Sequence, residues 1–233
     1  MTVHLGFIGL GTMGFPMAGH LAVAGYDVAV YNRTESRADE WVATYQGRKV
    51  LSPAEAAKAA DIVLVCVGND ADLRNVVYGP EGLLAHLRRG AIIVDHTTTS
   101  ADVAREVAAA GQKVGVDFLD APVSGGQRGA ESGQLTVMVG GSAEIYERIQ
   151  SIIACYARAC VRMGDVGYGQ LTKMVNQICI AGIIQGLAEG LAFAELSGLE
   201  SQRVIEVISK GAAQSWQLQN RGLTMLKGQF FSY

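Results

Sequence analysis

The sequence is short of several things, and each shortage excludes a class of protein. Its four cysteines (Cys66, Cys155, Cys160 and Cys179) form no C-x-x-C pair and its four histidines are dispersed, so neither a zinc site nor a disulfide framework is indicated. Free thiols buried in a reducing cytoplasm account for the cysteines. Charge is sparse too. Asp, Glu, Lys and Arg make up 18% of the chain, the net charge is −3, and the 19 Lys and Arg are scattered; no basic footprint for nucleic acid or anionic lipid results. Long apolar runs are missing as well. The most apolar stretch, Ile178 to Ala194, contains Gln185 and Glu189 and falls short of the roughly 20 residues that span a bilayer. The opening "MTVHLGFIGL" lacks a basic leader and a small-residue cleavage site, so it reads as a first strand rather than a signal peptide.

What is present is a folding chain. A length of 233 residues with 49% hydrophobic content allows a full core in one or two domains. From Val3 to about Met163 short β-rich runs alternate with helix-period segments. Strands are predicted at 3–9, 27–31, 61–67, 91–95, 114–119, 135–139 and 158–162, with helices at 14–24, 35–44, 53–59, 70–77, 101–110 and 142–154. That order predicts a Rossmann-like, doubly wound, mostly parallel sheet over residues 1–164. After "GDVGYG" the strand signals stop. Residues 165–233 read as an all-helical domain with helices near 169–196, 201–210 and 215–226. Gly182, Gly186 and Gly190 recur every four residues in the first of these, each costing about 1 kcal/mol in helix propensity. They line one face suited to a close helix neighbour, and a homo-oligomer, dimer or tetramer, is expected.

"GFIGLGTMG" carries Gly9, Gly11 and Gly14 in G-x-G-x-x-G spacing, with Leu10, Thr12 and Met13 between them. A strand precedes the loop and a helix follows it, the context in which this pattern cradles a dinucleotide pyrophosphate. The second strand ends in "VYNRT", where an NAD-selective chain would usually place an acidic residue. Here Asn32 stands, followed by Arg33 and Thr34, with Arg37 close by. A guanidinium binds a 2′-phosphate that a carboxylate would repel, so NADP(H) is predicted over NAD(H).

On the substrate side, strand 114–119 runs into "DAPVSGG", where Ser124, Gly125 and Gly126 form a turn able to receive a carboxylate. Further on, Lys173 interrupts an apolar segment. On a helix Gln170, Lys173, Asn176 and Gln177 fall three and four apart, making one polar stripe. Carbonyl reduction needs a hydride donor, an acid for the developing alkoxide and a group that fixes the substrate. NADPH, Lys173, and Ser124 with Asn176 meet those needs in turn.

In "GFIGLGTMGFPMAGHL", "VYNRT", "DAPVSGG" and "GQLTKMVNQ" the chain resembles the β-hydroxyacid dehydrogenase family. That family includes 3-hydroxyisobutyrate dehydrogenases, tartronate semialdehyde reductases and glyoxylate or succinic semialdehyde reductases. The resemblance implies that Lys173 is the catalytic acid/base, that Ser124, Gly125 and Gly126 hold the substrate carboxylate, and that Asn176 orients it. It also implies that Val67, Gly68 and Thr98 border the cofactor. Gln177 stands where relatives often have a second Asn, and Ser215 and Trp216 are candidate pocket residues. Family members continue past "KGQFFSY", so a shortened helical domain is expected. Rival readings are an imine reductase, a decarboxylating relative of 6-phosphogluconate dehydrogenase, and a catalytically silent NADP-binding scaffold.

Overall fold

Period-two alternation in the strands decides the layering. The structure, a computed structural model, describes residues 3–229. In β1 (His4–Ile8), β4 (Ile62–Val65) and β5 (Ile92–Asp95), Leu5, Phe7, Ile62, Leu64, Ile92 and Val94 enter one core. Ile8, Val63, Val65 and Ile93 enter a second core on the opposite face. Each such side chain, when fully buried, contributes about 1.5–3 kcal/mol of apolar transfer.

The sheet is completed by β2 (Asp27–Tyr31), β3 (Arg48–Lys49), β6 (Asp117–Asp120), β7 (Val123–Ser124), β8 (Leu135–Gly140) and β9 (Ala157–Gly164). The order is β3-β2-β1-β4-β5-β6-β8-β7, with β9 paired to β8. Pairing is parallel except where β8 meets β6 and β7, so the doubly wound, mostly parallel sheet is as predicted. Helices α1 (Gly14–Val23), α2 (Glu35–Thr44) and α7 (Ala143–Ile153) place Met17, Leu21, Trp41 and Ile149 in the first core. Helices α3 (Pro53–Lys58), α4 (Asp70–Tyr78) and α5 (Ala101–Val114) place Ala56, Leu73 and Val107 in the second. Side-chain oxygens of Ser52, Asn69 and Ser100 cap α3, α4 and α5, each cap being worth about 1 kcal/mol. A short α6 (Gly126–Glu131) follows the S-G-G turn.

The chain divides into two compact units, Met1–Lys173 and Met174–Tyr233. The reading from sequence set its boundary at 164/165. The division by compactness falls inside α8 (Tyr168–Leu196), whose start hydrogen-bonds to the sheet unit. In the second unit Leu191 of α8, Ile205 of α9 (Ser201–Ile208) and Leu218 of α10 (Trp216–Leu226) form a small core. Gly182, Gly186 and Gly190 line a groove of about 570 Å³ that Val204 and Ile208 of α9 also line. A Cβ at each of the three glycines would meet nothing within 4 Å. By length and composition α8 is apolar enough to cross a membrane, but Lys173 and Glu189 lie within it. A charged side chain at a bilayer centre costs about 2.5–3.5 kcal/mol.

Candidate functional site

Three glycines with three different surroundings shape the loop after β1. Gly9 has φ +95°, and a Cβ there would fall on the Cys66 carbonyl oxygen. Gly14 packs equally close to the Gly9 carbonyl, while at Gly11 a Cβ would meet nothing within 4 Å. Gly9 therefore turns the chain, Gly14 seats α1 on the strand, and Gly11 leaves room for a phosphate. The α1 N-terminus has no side-chain cap; the Phe15 N–H is taken by the Gly11 carbonyl and Pro16 has none, so an anion would meet the N–H groups of the glycine loop just ahead of the helix. Together these features fit a dinucleotide.

A groove of about 580 Å³ opens from the loop. It gathers Gly9, Gly11, Thr12, Met13, Gly14, Asn32, Arg33, Thr34, Val67 and Gly68, all read from sequence as cofactor residues. Sequence reasoning missed Asp72 and Asn75 of α4, which also line it. The available signal was "GND" just beyond the carboxyl end of β4, where ligands collect in open sheets.

Three assigned residues are placed otherwise. The Leu10 side chain is fully buried in the core, so only its backbone reaches the loop. Arg37 is not part of the groove lining: its Nε donates to the Leu10 carbonyl at 3.2 Å, Nη1 pairs with Glu40, and the guanidinium lies 4.7 Å over the Phe15 ring. Thr98 is exposed between the buried Thr97 and Thr99, outside this groove. Asn32 lines the groove, yet its amide is occupied. Oδ1 accepts from the Leu10 N–H at 2.8 Å and Nδ2 donates to the Thr34 carbonyl at 2.9 Å. Arg33 has an 82% exposed side chain and one contact to Asp72 at 3.1 Å.

At the other end of the sheet unit, Ser124 ends β7, and Gly125 and Gly126 have φ of +134° and +61°, conformations that favour glycine. Lys173 is 9% exposed. No hydrogen bond or ion pair engages its ammonium among the described residues, and burial holds its pKa below the ordinary lysine value. The polar stripe read along α8 is graded: Gln170 is fully buried, Asn176 half-buried and Gln177 exposed. In the second unit Asn176 Nδ2 donates to Gln177 Oε1 at 3.0 Å. Trp216 is 53% exposed, and Ser215 both caps α10 by accepting from the Leu218 N–H and lines the groove beside Gly182, Gly186 and Gly190.

Buried titratable groups sit at the carboxyl end of β5. Loss of solvation pushes Asp95 up to about 7 and His96 down to about 4. His96 Nδ1 donates to the Ala121 carbonyl and Nε2 accepts from the Tyr156 hydroxyl, a neutral imidazole satisfied on both sides. The two shifts act oppositely on stability. An acid whose pKa rises on folding imposes a cost that is full above pH 7 and disappears as pH falls toward its unfolded value of 3.8. A base whose pKa falls contributes stability that is full above pH 6.5 and is lost as pH drops through about 4. Asp95 therefore masks the acid sensitivity of His96. Asp95→Asn should lose about 4 kcal/mol relative to wild type between pH 7 and pH 4, at 1.36 kcal/mol per pH unit; urea unfolding at a series of pH values measures it.

The comparisons with known proteins agree with this geometry. Residues 4–164 match the family model of the NAD binding domain of 6-phosphogluconate dehydrogenase. Residues 167–232 match that described as NAD-binding of NADP-dependent 3-hydroxyisobutyrate dehydrogenase. An uncharacterized oxidoreductase of Shewanella frigidimarina is 60% identical over 224 residues, which are 96% of this chain and 77% of the relative. A probable mitochondrial 3-hydroxyisobutyrate dehydrogenase-like protein of Arabidopsis thaliana is 40% identical, covering 91% of this chain and 70% of its own. Among solved structures, Mycobacterium tuberculosis 3-hydroxyisobutyrate dehydrogenase with L-serine superposes at a TM-score of 0.87 and 31% identity, covering 95% of this chain and 75% of that one. This chain is thus shorter than its relatives. It belongs to the β-hydroxyacid dehydrogenase family, as an NAD(P)-dependent hydroxyacid dehydrogenase of the 3-hydroxyisobutyrate dehydrogenase group.

Proposed function

We propose that the protein is an NADPH-dependent reductase of short semialdehydes bearing a carboxylate, interconverting them with β- or γ-hydroxyacids, with Lys173 as general acid/base. The observation that carries the reading is a buried lysine, one turn into α8, with no counter-ion among the described residues. The L-serine in the related mycobacterial structure, itself a β-hydroxy acid, is consistent with the substrate class.

The nicotinamide supplies the hydride when bound. Lys173 Nζ gives a proton to the carbonyl oxygen as negative charge develops there, and takes it back in the oxidative direction. Its lowered pKa brings the ammonium closer to the operating pH, which favours transfer in both directions. The Ser124 hydroxyl and the N–H groups of Gly125 and Gly126 receive the substrate carboxylate. Asn176 orients the substrate, with Gln177 and Trp216 as further substrate contacts. A dimer or tetramer in the cytoplasm is the proposed working form. An NADPH oxidation assay against glyoxylate and against succinic, tartronate and methylmalonate semialdehydes tests the substrate class; activity confined to uncharged aldehydes would overturn it.

Preference for NADP(H) rests on Arg33. Its exposed pairing with Asp72 is of a kind worth about 1 kcal/mol or less, so the guanidinium is free to exchange that carboxylate for a 2′-phosphate. Hydrogen bonds to charged groups contribute about 1.5–3 kcal/mol. Arg33→Ala should therefore raise the KM for NADPH by about 10- to 100-fold and leave the KM for NADH nearly unchanged. An unaltered ratio of the two would remove Arg33 from cofactor choice.

A further inference from the structure

One buried node joins segments to which separate roles were assigned. Asp120, the last residue of β6, is wholly buried. Its Oδ1 accepts from the Gly167 N–H at 2.7 Å and its Oδ2 from the Gln170 N–H at 2.9 Å, so a carboxylate closes the start of α8. Gln170, also wholly buried, extends the node: its Oε1 accepts from the Thr99 N–H at 3.1 Å and its Nε2 donates to the Thr97 carbonyl at 2.7 Å. Space around Asp120 is closed. A Cβ on Gly140 would lie 2.4 Å from Oδ1, and one on Gly169 would lie 2.8 Å from Oδ2.

A carboxylate removed from water is costly unless donors replace the lost solvent, and the unpaired N–H groups at a helix start are suitable donors. Asparagine would keep one acceptor but turn an N–H₂ group toward a backbone N–H. Asp120 therefore ties the first turn of α8 to the end of β6. Lys173 stands three residues beyond Gln170, Ser124 four beyond Asp120, and Thr98 between the two residues that Gln170 grips. We propose that Asp120 and Gln170 are positioning residues that set Lys173 against the Thr97–Thr99 segment and the Ser124 turn. The proposal rests on Lys173 being the acid/base.

The test compares Asp120→Asn and Gln170→Met, the second removing both side-chain hydrogen bonds at nearly constant volume, with Lys173→Ala as reference. Turnover of NADPH with succinic semialdehyde should fall about 10- to 100-fold in both positioning variants, with the Kd for NADPH within about threefold, well under the tenfold that 1.4 kcal/mol would give. A second readout needs no turnover: labelling of Lys173 by acetic anhydride over a pH series, followed by peptide mass spectrometry. The midpoint of the pH series should move up toward the ordinary lysine range, and above it, where the amine is neutral in both proteins, the less buried Lys173 should label faster than in wild type. Should Asp120→Asn not fold, Gln170→Met decides. Folded variants with unchanged turnover and unchanged labelling would overturn the positioning role while leaving Lys173 as acid/base. Retained turnover in Lys173→Ala would instead overturn the assignment on which the proposal rests.

Discussion

Lys173→Ala is expected to lower kcat/KM for semialdehyde reduction by about 10²- to 10⁴-fold, the range that loss of a positioned proton donor produces. The Kd for NADPH should hardly change, since the glycine loop and Arg33 belong to the groove after β1 and Lys173 is not part of its lining. The pH profile is the sharper measurement. An ammonium that donates a proton is active only while charged, so in the wild type the reductive rate should fall as pH rises through the pKa of Lys173. That descent should lie below the ordinary lysine value of 10.5, because burial disfavours the charged form. The oxidative rate should rise over the same interval. Loss of NADPH binding in the variant, or retained kcat, would make Lys173 a packing residue.

Gly9→Ala should damage the fold and the cofactor site together. A φ of +95° costs an alanine about 1–3 kcal/mol. The new methyl would also stand on the Cys66 carbonyl, where overpacking adds about 1–3 kcal/mol and more against backbone that cannot move. A total of about 5 kcal/mol approaches the whole stability of many domains. Thermal unfolding should show a large drop in Tm, and NADPH binding should be lost in whatever fraction folds. Gly11→Ala is the control: its methyl has space, so stability should stay near wild type. Equal stability of the Gly9→Ala and Gly11→Ala variants would refute this account of the loop.

Long periodic elements were legible in the sequence because each buries a face with a regular period. The helix read at 35–44 coincides with α2, and that read at 169–196 with α8 to within a residue. Short elements were not. β3 and β7 span two residues each, too few for any alternation to register. The helix read at 101–110 stops at Gly111, but α5 continues to Val114. The terminating glycine is Gly115, with φ +78°, whereas Gly111 is a packing glycine whose Cβ would lie 2.7 Å from the Val116 carbonyl oxygen. One glycine looks like another until its φ is known.

The same limit applies to the site. The spacing of Gly9, Gly11 and Gly14 pointed to the groove after β1 because three backbone requirements fall at fixed separations. Arg37 was assigned to the groove by proximity in sequence; its i,i+3 pair with Glu40 is local, but its engagement with Leu10 and Phe15 depends on tertiary contacts that no local pattern encodes. Asp120 and Gln170 were hidden for a related reason. Their partners lie 47 to 73 residues away, so nothing in "DAPVSGG" or "GQLTK" alone shows that the two segments share a hydrogen-bond network.

The amide of Asn32 has a bearing on how coenzyme choice could evolve. One side chain braces the glycine loop through Leu10 and the turn after β2 through Thr34. A drift toward an acidic residue at this position, the usual route to NAD, would keep the acceptor but set an oxygen against the Thr34 carbonyl, loosening the turn. Selection for a different coenzyme would therefore meet less resistance at Arg33, whose contacts hold nothing else in place, than at Asn32, where recognition and loop architecture cannot be altered separately.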